Sequence, residues 1–374
     1  MGYPAAHPDR PITNEILKSL PKISLHDHLD GGLRPETIVE LATEAGIPLP
    51  FTDGERLANW IAEQSNAGSL SAYLKPFSFT GAVTQTQRNL VRVAREFVQD
   101  LADDGVIYGE IRWAPENHLR QGLTLDQAVE AVQEGIEAGV ADVTATGKNI
   151  QVGQILAAMR HDSLALSIAE LAVRHRNQGV VGFDIAGPEA GFPASQHAAA
   201  FDHLASNFLP ATVHAGEGDG LESIRSALIH GRALRLGHGV RLAEDLTQYQ
   251  DSTGTHAVLG DMARWVRDRK IALEISPSSN LQTGAIAQWG HLMRDHPFDL
   301  LYRAGLRVTV NADNRLMSNT NLTKELGLLV DAFGYTLADL KTFQLDAAES
   351  AFLPPDDRSE LKSAIQTGFA NALV

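Results

Sequence analysis

The 374-residue chain contains no cysteine. Disulfides, thiolate metal sites, cysteine nucleophiles and the Pro-Cys-x-x-Cys type of zinc deaminase are therefore all excluded. Any metal must be held by histidine and carboxylate. Basic residues are in deficit, with 31 Lys plus Arg against 46 Asp plus Glu and a formal net charge of -15. Such a field repels phosphate backbones and anionic membrane surfaces, so neither nucleic acid nor a membrane is an expected partner. No apolar run approaches the ~18 to 20 residues that cross a bilayer. Met1 to Arg10 carry two prolines with no apolar stretch behind them, which leads to an expected cytoplasmic location. Also absent are a Walker loop, a G-x-G-x-x-G fingerprint, a His-Glu-x-x-His helix and a Gly-x-Ser-x-Gly elbow, so no organic cofactor is expected. No repeat or Pro/Ser linker divides the chain, and one domain over residues 1–374 is the simplest organisation.

What is present is the balance of a folded protein, 44% hydrophobic and 21% charged. Eight short apolar runs end in polar or glycine-rich turns: Ile23 to Leu29, Val106 to Trp113, Ile150 to Ala157, Val180 to Ile185, Ala211 to His214, Leu234 to His238, Ile271 to Ile275 and Val308 to Asn311. Between them, stretches such as Leu125 to Ala138, Ser163 to His175, Leu221 to Ile229 and Met262 to Arg269 repeat apolar residues three or four apart, as helices do. Eight strand-helix alternations predict an α/β fold, a (β/α)8 TIM barrel; a doubly wound open sheet is the alternative. The barrel is favoured because polar and ionisable residues recur at the C-terminal ends of the runs, where a closed barrel gathers them around one mouth. The first connection, residues 31–105, is too long for a simple loop and is read as a helical lid insertion after the first strand. It contains Leu70, Tyr73, Leu74, Phe77 and Phe79, which suit either helix packing or a substrate gate. Residues 340–374 form a C-terminal helical segment, with a turn at Pro354 and Pro355 before a helix from Arg358 to Ala370.

His26 and His28 stand two apart on the first strand, so both imidazoles face the same side. With 14 histidines in the chain, chance alone supplies about half a pair at this spacing, and the motif needs company. It has company: His214, His238 and Asp313 stand at three further strand ends. Crowding these groups at one mouth is costly unless a cation or substrate pairs with them. Three histidine nitrogens and one carboxylate oxygen suit Zn²⁺, with iron and manganese as alternatives, and leave room for an activated water. Glu217, three residues after His214, is placed to move a proton beside the metal. Asp219 in the same loop is expected to be solvated, and Glu110 and Arg112 to form a structural ion pair at the barrel wall.

Pro-Lys-Ile-Ser-Leu-His-Asp-His-Leu-Asp-Gly at Pro21 to Gly31, Met-Arg-His at Met159 to His161, Phe-Asp-Ile-Ala-Gly at Phe183 to Gly187 and His-Ala-Gly-Glu at His214 to Glu217 occur in this order. Leu-Gly-His-Gly at Leu236 to Gly239, Ser-Pro-Ser-Ser-Asn-Leu-Gln-Thr-Gly at Ser276 to Gly284 and Val-Asn-Ala-Asp-Asn-Arg-Leu-Met-Ser at Val310 to Ser318 follow. In order and spacing these resemble the adenosine deaminases, most closely the actinobacterial type, from about Pro21 to Phe352. The resemblance implies an amidohydrolase-superfamily barrel holding one zinc ion through His26, His28, His214 and Asp313. It also implies hydrolytic deamination of adenosine and 2'-deoxyadenosine in purine salvage. Glu217 would then protonate purine N1, and His238 would orient or deprotonate the attacking water. Asp30 would bind the ribose, the Gly187 amide would sit near N3, and Leu70, Tyr73, Leu74 and Phe77 would form the gate. For Glu217 to start protonated, burial or a nearby negative group must raise its pKa.

One departure is Asn314, where many members carry an aspartate against N7; the amide donates directly and needs no shared proton. Asp30, in place of the glutamate usual in adenine deaminases, favours a nucleoside over the free base. No phosphate-binding cluster is evident for a nucleotide. A binding protein that had kept the barrel and lost its chemistry would lack a ligand or the acid, and all are in place.

Overall fold

The computed structural model describes residues 11–251 and 254–372; the reading made of Met1 to Arg10 lies outside them. Ten strands occur in the order β1 (Lys22–His28), β2 (Val106–Trp113), β3 (Gln151–Met159), β4 (Val180–Ala186), β5 (Thr212–Ala215), β6 (Arg235–His238), β7 (Leu246–Asp251), β8 (Gly254–Leu259), β9 (Ala272–Ile275) and β10 (Val308–Val310). Two four-stranded parallel sheets, β1-β2-β3-β4 and β5-β6-β9-β10, are joined edge to edge by the bridges Phe183–Ala211 and Asp27–Asp313. The eight strands thereby close into one parallel barrel ringed by helices.

All eight predicted runs are barrel strands. The antiparallel hairpin β7-β8 was not anticipated; it is inserted between β6 and the helix Asp261–Asp268. Its first strand, Leu-Thr-Gln-Tyr-Gln-Asp, has too few apolar residues to announce a strand.

Local chemistry accounts for the helices. Leu125–Ala145 begins with a capping box between Thr124 and Gln127. Pro35–Ala45 opens on proline and stops at Gly46, which adopts the left-handed conformation. Between β1 and β2 lie five helices: Pro35–Ala45, Gly54–Ser65, Leu70–Tyr73, Phe77–Val83 and Gln87–Asp103. The last buries Leu90, Val93, Ala94, Phe97, Val98 and Leu101 along one face, the spacing of a helix packed on the barrel wall.

The barrel interior is charged rather than apolar. Arg112 bonds Asp184 at 2.8 Å and Glu274 at 2.7 Å, and Arg235 bonds Glu274 at 2.6 Å and also Glu110. All five side chains are essentially without solvent exposure. The expected Glu110–Arg112 pair does not form. Both residues point inward from β2, but each meets its counter-charge across the barrel, so neighbours along one strand are not partners. Two guanidiniums satisfy three carboxylates with additional hydrogen bonds from Thr212, Tyr108 and His26, which is what a buried charge needs in order to persist. Below this layer the Arg235 guanidinium lies 3.6 Å over the ring of Phe352, between the C-terminal helices Leu337–Ser350 and Pro355–Ala372.

Candidate active site

The C-terminal ends of the strands bring the predicted groups together. Single ligand atoms of His26, His214, His238 and Asp313 all lie within 4.8 Å of one another, and all four residues are buried. His28 joins them, its Nε2 standing 3.3 Å from His214 Nε2 and 3.4 Å from Asp313 Oδ1. Backbone bonds set this convergence: His28 N–H donates to Asp313 O at 2.7 Å and Asp313 N–H donates to His26 O at 3.0 Å, where β10 meets β1. His238 and Asp313 both have φ near 60°, a conformation uncommon for residues other than glycine and concentrated at functional sites.

The outer partners decide how the imidazoles present themselves. His26 Nδ1 lies 3.0 Å from Glu274 and His214 Nδ1 lies 2.6 Å from Asp184. Burial opposes ionisation of both acids, yet the guanidinium of Arg112 and neighbouring imidazoles hold Asp184 and Glu274 well below the usual carboxylate range. As ionised acceptors they hold a proton on Nδ1 and turn each Nε2 inward; burial and Arg112 oppose ionisation of His26, but Asp313 and Glu274 outweigh them and raise its pKa. Burial also lowers His28, His214 and His238, so these rings are neutral near pH 7. Burial opposes ionisation of Asp313, but the facing imidazoles of His26, His238 and His28 outweigh it and hold the carboxyl well below the usual range. Inward ring nitrogens beside an ionised carboxylate, with His26 Nε2 lacking any hydrogen-bond partner, form a donor set that fits a divalent cation.

Glu217 sits over this cluster, 5% exposed, with Oε2 3.4 Å from His238 Nε2 and Oε1 unpartnered. Its carboxyl is pushed well above the normal range by burial first, then by the charges of Asp313 and Glu189. This is the direction that the proton-donor reading requires. The loop carrying it wraps the buried Glu189 carboxylate, which accepts backbone N–H bonds from Gly216, Glu217, Gly218 and Asp219 at 2.6 to 3.1 Å. Sequence reasoning missed Glu189; its signal is a carboxylate two residues beyond Gly187, visible only once the loops after β4 and β5 touch. Asp219 is half-buried, not fully solvated, and caps its own turn by accepting from Gly220 N at 2.7 Å.

Asp30 is half-buried with Oδ1 unpartnered, and burial raises its carboxyl to about 6. Gly187 follows β4 directly at φ 97°, where a Cβ would come 2.9 Å from Met159 Cε. Asn314 is 4% exposed and packs against Gly31, where a Cβ would lie 2.0 Å from its Oδ1. Of the apolar residues in the insertion after β1, Tyr73 is 1% exposed and its hydroxyl meets Ser318 Oγ at 3.2 Å. Ser318 in turn donates to Gln282 Oε1, and Gly68 N–H donates to Gln282 O. The segment from Gly68 to Tyr73 is thereby stitched to the barrel. A Cβ on Gly218 would stand 3.0 Å from Leu70 Cδ2, so Leu70 borders the Glu217 loop. Leu74 and Phe77 are half-buried against the core, and Phe79 instead packs edge-on against Trp60. Two further residues escaped the sequence reading: Ser279, whose hydroxyl donates to Asp313 Oδ2 at 2.6 Å, and Asn280, which contacts His238 Nδ1 at 3.0 Å. Both lie in the Ser276 to Gly284 motif, but no role was deducible before their side chains were placed.

The sequence profile of the adenosine deaminase family matches residues 21–368. Adenosine deaminase 1 of Streptomyces coelicolor is 50% identical over 369 residues, covering 98% of this chain and 91% of its own. This chain belongs to the adenosine deaminase family. As an adenosine deaminase it is a hydrolase that replaces the 6-amino group of the purine by oxygen. Among solved structures, a zinc-bound amidohydrolase from Burkholderia ambifaria superposes with a TM-score of 0.82 at 22% identity, covering 99% of this chain and 97% of the other. The N6-methyl-AMP deaminase of Arabidopsis does so with a TM-score of 0.79 at 25% identity, covering 94% and 99%. These superpositions show the same barrel fold. Among the described residues no helix is long and apolar enough to cross a membrane.

Proposed function

We propose that this protein deaminates adenosine and 2'-deoxyadenosine to inosine and 2'-deoxyinosine, with one zinc ion held by His26, His28, His214 and Asp313. The observation that carries the reading is the set of ring nitrogens converging on Asp313, with the buried carboxyl of Glu217, its pKa raised, above it. A divalent ion bound there supplies the Lewis acidity that makes water a nucleophile near neutral pH. Glu217 gives its proton to N1 as oxygen adds to C6, so the charge of the tetrahedral state does not accumulate on the ring. His238, 3.4 Å from Glu217, faces the same water and orients it or takes its proton. Asp30 accepts from a ribose hydroxyl, which accounts for an unpartnered buried oxygen at that position. The Gly187 amide lies along the purine edge near N3. Leu70, Tyr73, Leu74 and Phe77 close over the bound nucleoside and exclude water.

The test is a purified-protein assay following the loss of adenosine's ultraviolet absorbance, with metal content measured in parallel. Rapid turnover of adenosine with about one zinc per chain is expected; adenine and AMP should be poor substrates. An inert metal-loaded protein, or a preference for adenine or AMP, would refute the substrate assignment. The Asn314 amide donates to N7 irrespective of pH, whereas an aspartate there needs a proton that it loses as pH rises. Asn314→Asp is therefore expected to lose kcat/KM earlier on the alkaline side, and pH profiles that superimpose would discard the N7 contact.

A further inference from the structure

The buried residue His296 begins a chain of hydrogen bonds that ends at His238 and admits one arrangement of protons. The backbone N–H of Phe298, which can only donate, reaches His296 Nδ1 at 3.0 Å. His296 is 2% exposed, and burial lowers its pKa to about 3, so the ring is neutral and carries its proton on Nε2. That Nε2–H lies 3.3 Å from Asn280 Oδ1. With its oxygen accepting there, Asn280 turns its amide Nδ2 to His238 Nδ1 at 3.0 Å. Asn280 has no exposed surface, and no water is needed to complete the sequence. His238 Nδ1 therefore accepts, and the proton of its neutral ring sits on Nε2, facing Glu217 and the cluster. This is the reverse of His26 and His214, whose carboxylate partners hold the proton on Nδ1.

We propose that Asn280 and His296 are positioning residues that lock His238 as an Nε2–H donor, so that it orients the attacking water by donating to its oxygen instead of acting as the base. The proposal rests on the reading of the site given above and decides between the two roles open to His238 there. It also separates His238 from the ligands, because a ring whose inward nitrogen carries hydrogen has no lone pair for a metal. The oxygen would attack as hydroxide, the water's proton having left to solvent near neutral pH; of its three lone pairs the cation and this donor would occupy two, and the third would be free to aim at C6. Asn280 and His296 touch neither substrate nor metal in this arrangement and act only through the ring they orient.

The direct test needs no substitution. In zinc-loaded enzyme with ¹⁵N-labelled histidine, nitrogen NMR reads the tautomer of each ring, and His238 is assigned by the resonance lost in His238→Gln. A lone-pair signal at Nδ1 with an N–H signal at Nε2 is expected; the reverse pattern overturns the proposal. Asn280→Asp then places an acceptor against Nδ1 and drives the proton to that side. Its kcat is expected to fall about 10- to 10³-fold, within the ~10⁴ range known for a catalytic imidazole held in the wrong tautomer. KM should stay within about twofold and zinc content should be unchanged, since substrate contacts are untouched. Full kcat in an Asn280→Asp enzyme whose His238 signals have inverted would show that the tautomer does not matter and would overturn the proposal. A parent enzyme without deaminase activity would sink the functional reading instead, a separate result from a reversed tautomer in an active enzyme.

Discussion

Replacing Glu217 by glutamine is expected to lower kcat by about 10² to 10⁴, the range in which a positioned general acid contributes, while zinc stays bound. The substitution conserves shape and removes only the proton. In the parent, burial and then the nearby charges of Asp313 and Glu189 raise the carboxyl pKa, in the direction that the proposed proton transfer to N1 needs. The carboxamide can donate a hydrogen bond to N1 but cannot transfer a proton, so ground-state binding survives and the tetrahedral state is lost. KM should change little, while affinity for an analogue with a tetrahedral C6 should fall in step with kcat/KM. Stability moves the other way. A carboxyl whose folded pKa lies above its unfolded value favours folding most below the unfolded value, about 4.3, and loses that contribution as pH rises through the folded one. Glutamine carries no such loss, so Glu217→Gln should gain in melting temperature relative to the parent as pH is raised. Turnover retained within tenfold would end the assignment of Glu217 as the acid.

How far the sequence foretold this site depends on which contacts the strand period controls. His26 and His28 were legible because alternate residues of one strand share a face, and His214, His238 and Asp313 because each closes an apolar run at the end that a parallel barrel gathers. No such rule reaches across the barrel. Arg112, Asp184, Arg235 and Glu274 read in isolation as breaks in apolar strands, yet they form a buried layer in which every charge faces its opposite. The mistaken pairing of Glu110 with Arg112 has this origin: the period placed both residues inside but could not supply their partners. Glu189, Ser279, Asn280 and His296 were silent for the same reason. Each acts on a residue at least sixteen positions away through one side chain, and separation of that kind leaves no periodic trace. The long insertion between β1 and β2 follows from the spacing of the strands, whereas the Tyr73–Ser318 contact joins segments 245 residues apart.

The outer layer matters to the site because it sets protonation before any ligand arrives. Glu274 touches Arg112, Arg235 and His26 at once, so the charge that stabilises the barrel floor also turns His26 Nε2 toward the mouth. Asp184 does the same for His214 while bonded to Arg112. One guanidinium thus serves two imidazole-orienting carboxylates. The inner face of the barrel is built as a support for imidazoles, which explains why it is polar at a position that most barrels fill with branched apolar side chains.

Asp313→Asn is expected to release zinc and with it nearly all activity. Asparagine is the informative replacement because Asp313 has φ 60°, a conformation that asparagine tolerates and alanine does not. The backbone bonds from Asp313 to His26 and His28 remain, so the junction of β10 with β1 is preserved and only the charge is removed. That charge faces His26, His28 and His238 within 4.0 Å and is the sole carboxylate in the cluster of potential ligands among the described residues. Loss of metal Lewis acidity, worth several kcal/mol, corresponds to a drop of about 10³ to 10⁴ in kcat/KM at 1.36 kcal/mol per decade. Zinc content after dialysis should fall well below one per chain, and far-ultraviolet circular dichroism should match the parent. The variant's Ser279 hydroxyl, which bonds Asp313 Oδ2 at 2.6 Å, can still donate to the amide oxygen, so the side chain keeps its place. An Asp313→Asn enzyme that holds a full complement of zinc and turns over adenosine at the parent rate would show that the imidazoles alone bind the ion, and the proposed ligand set would have to be redrawn.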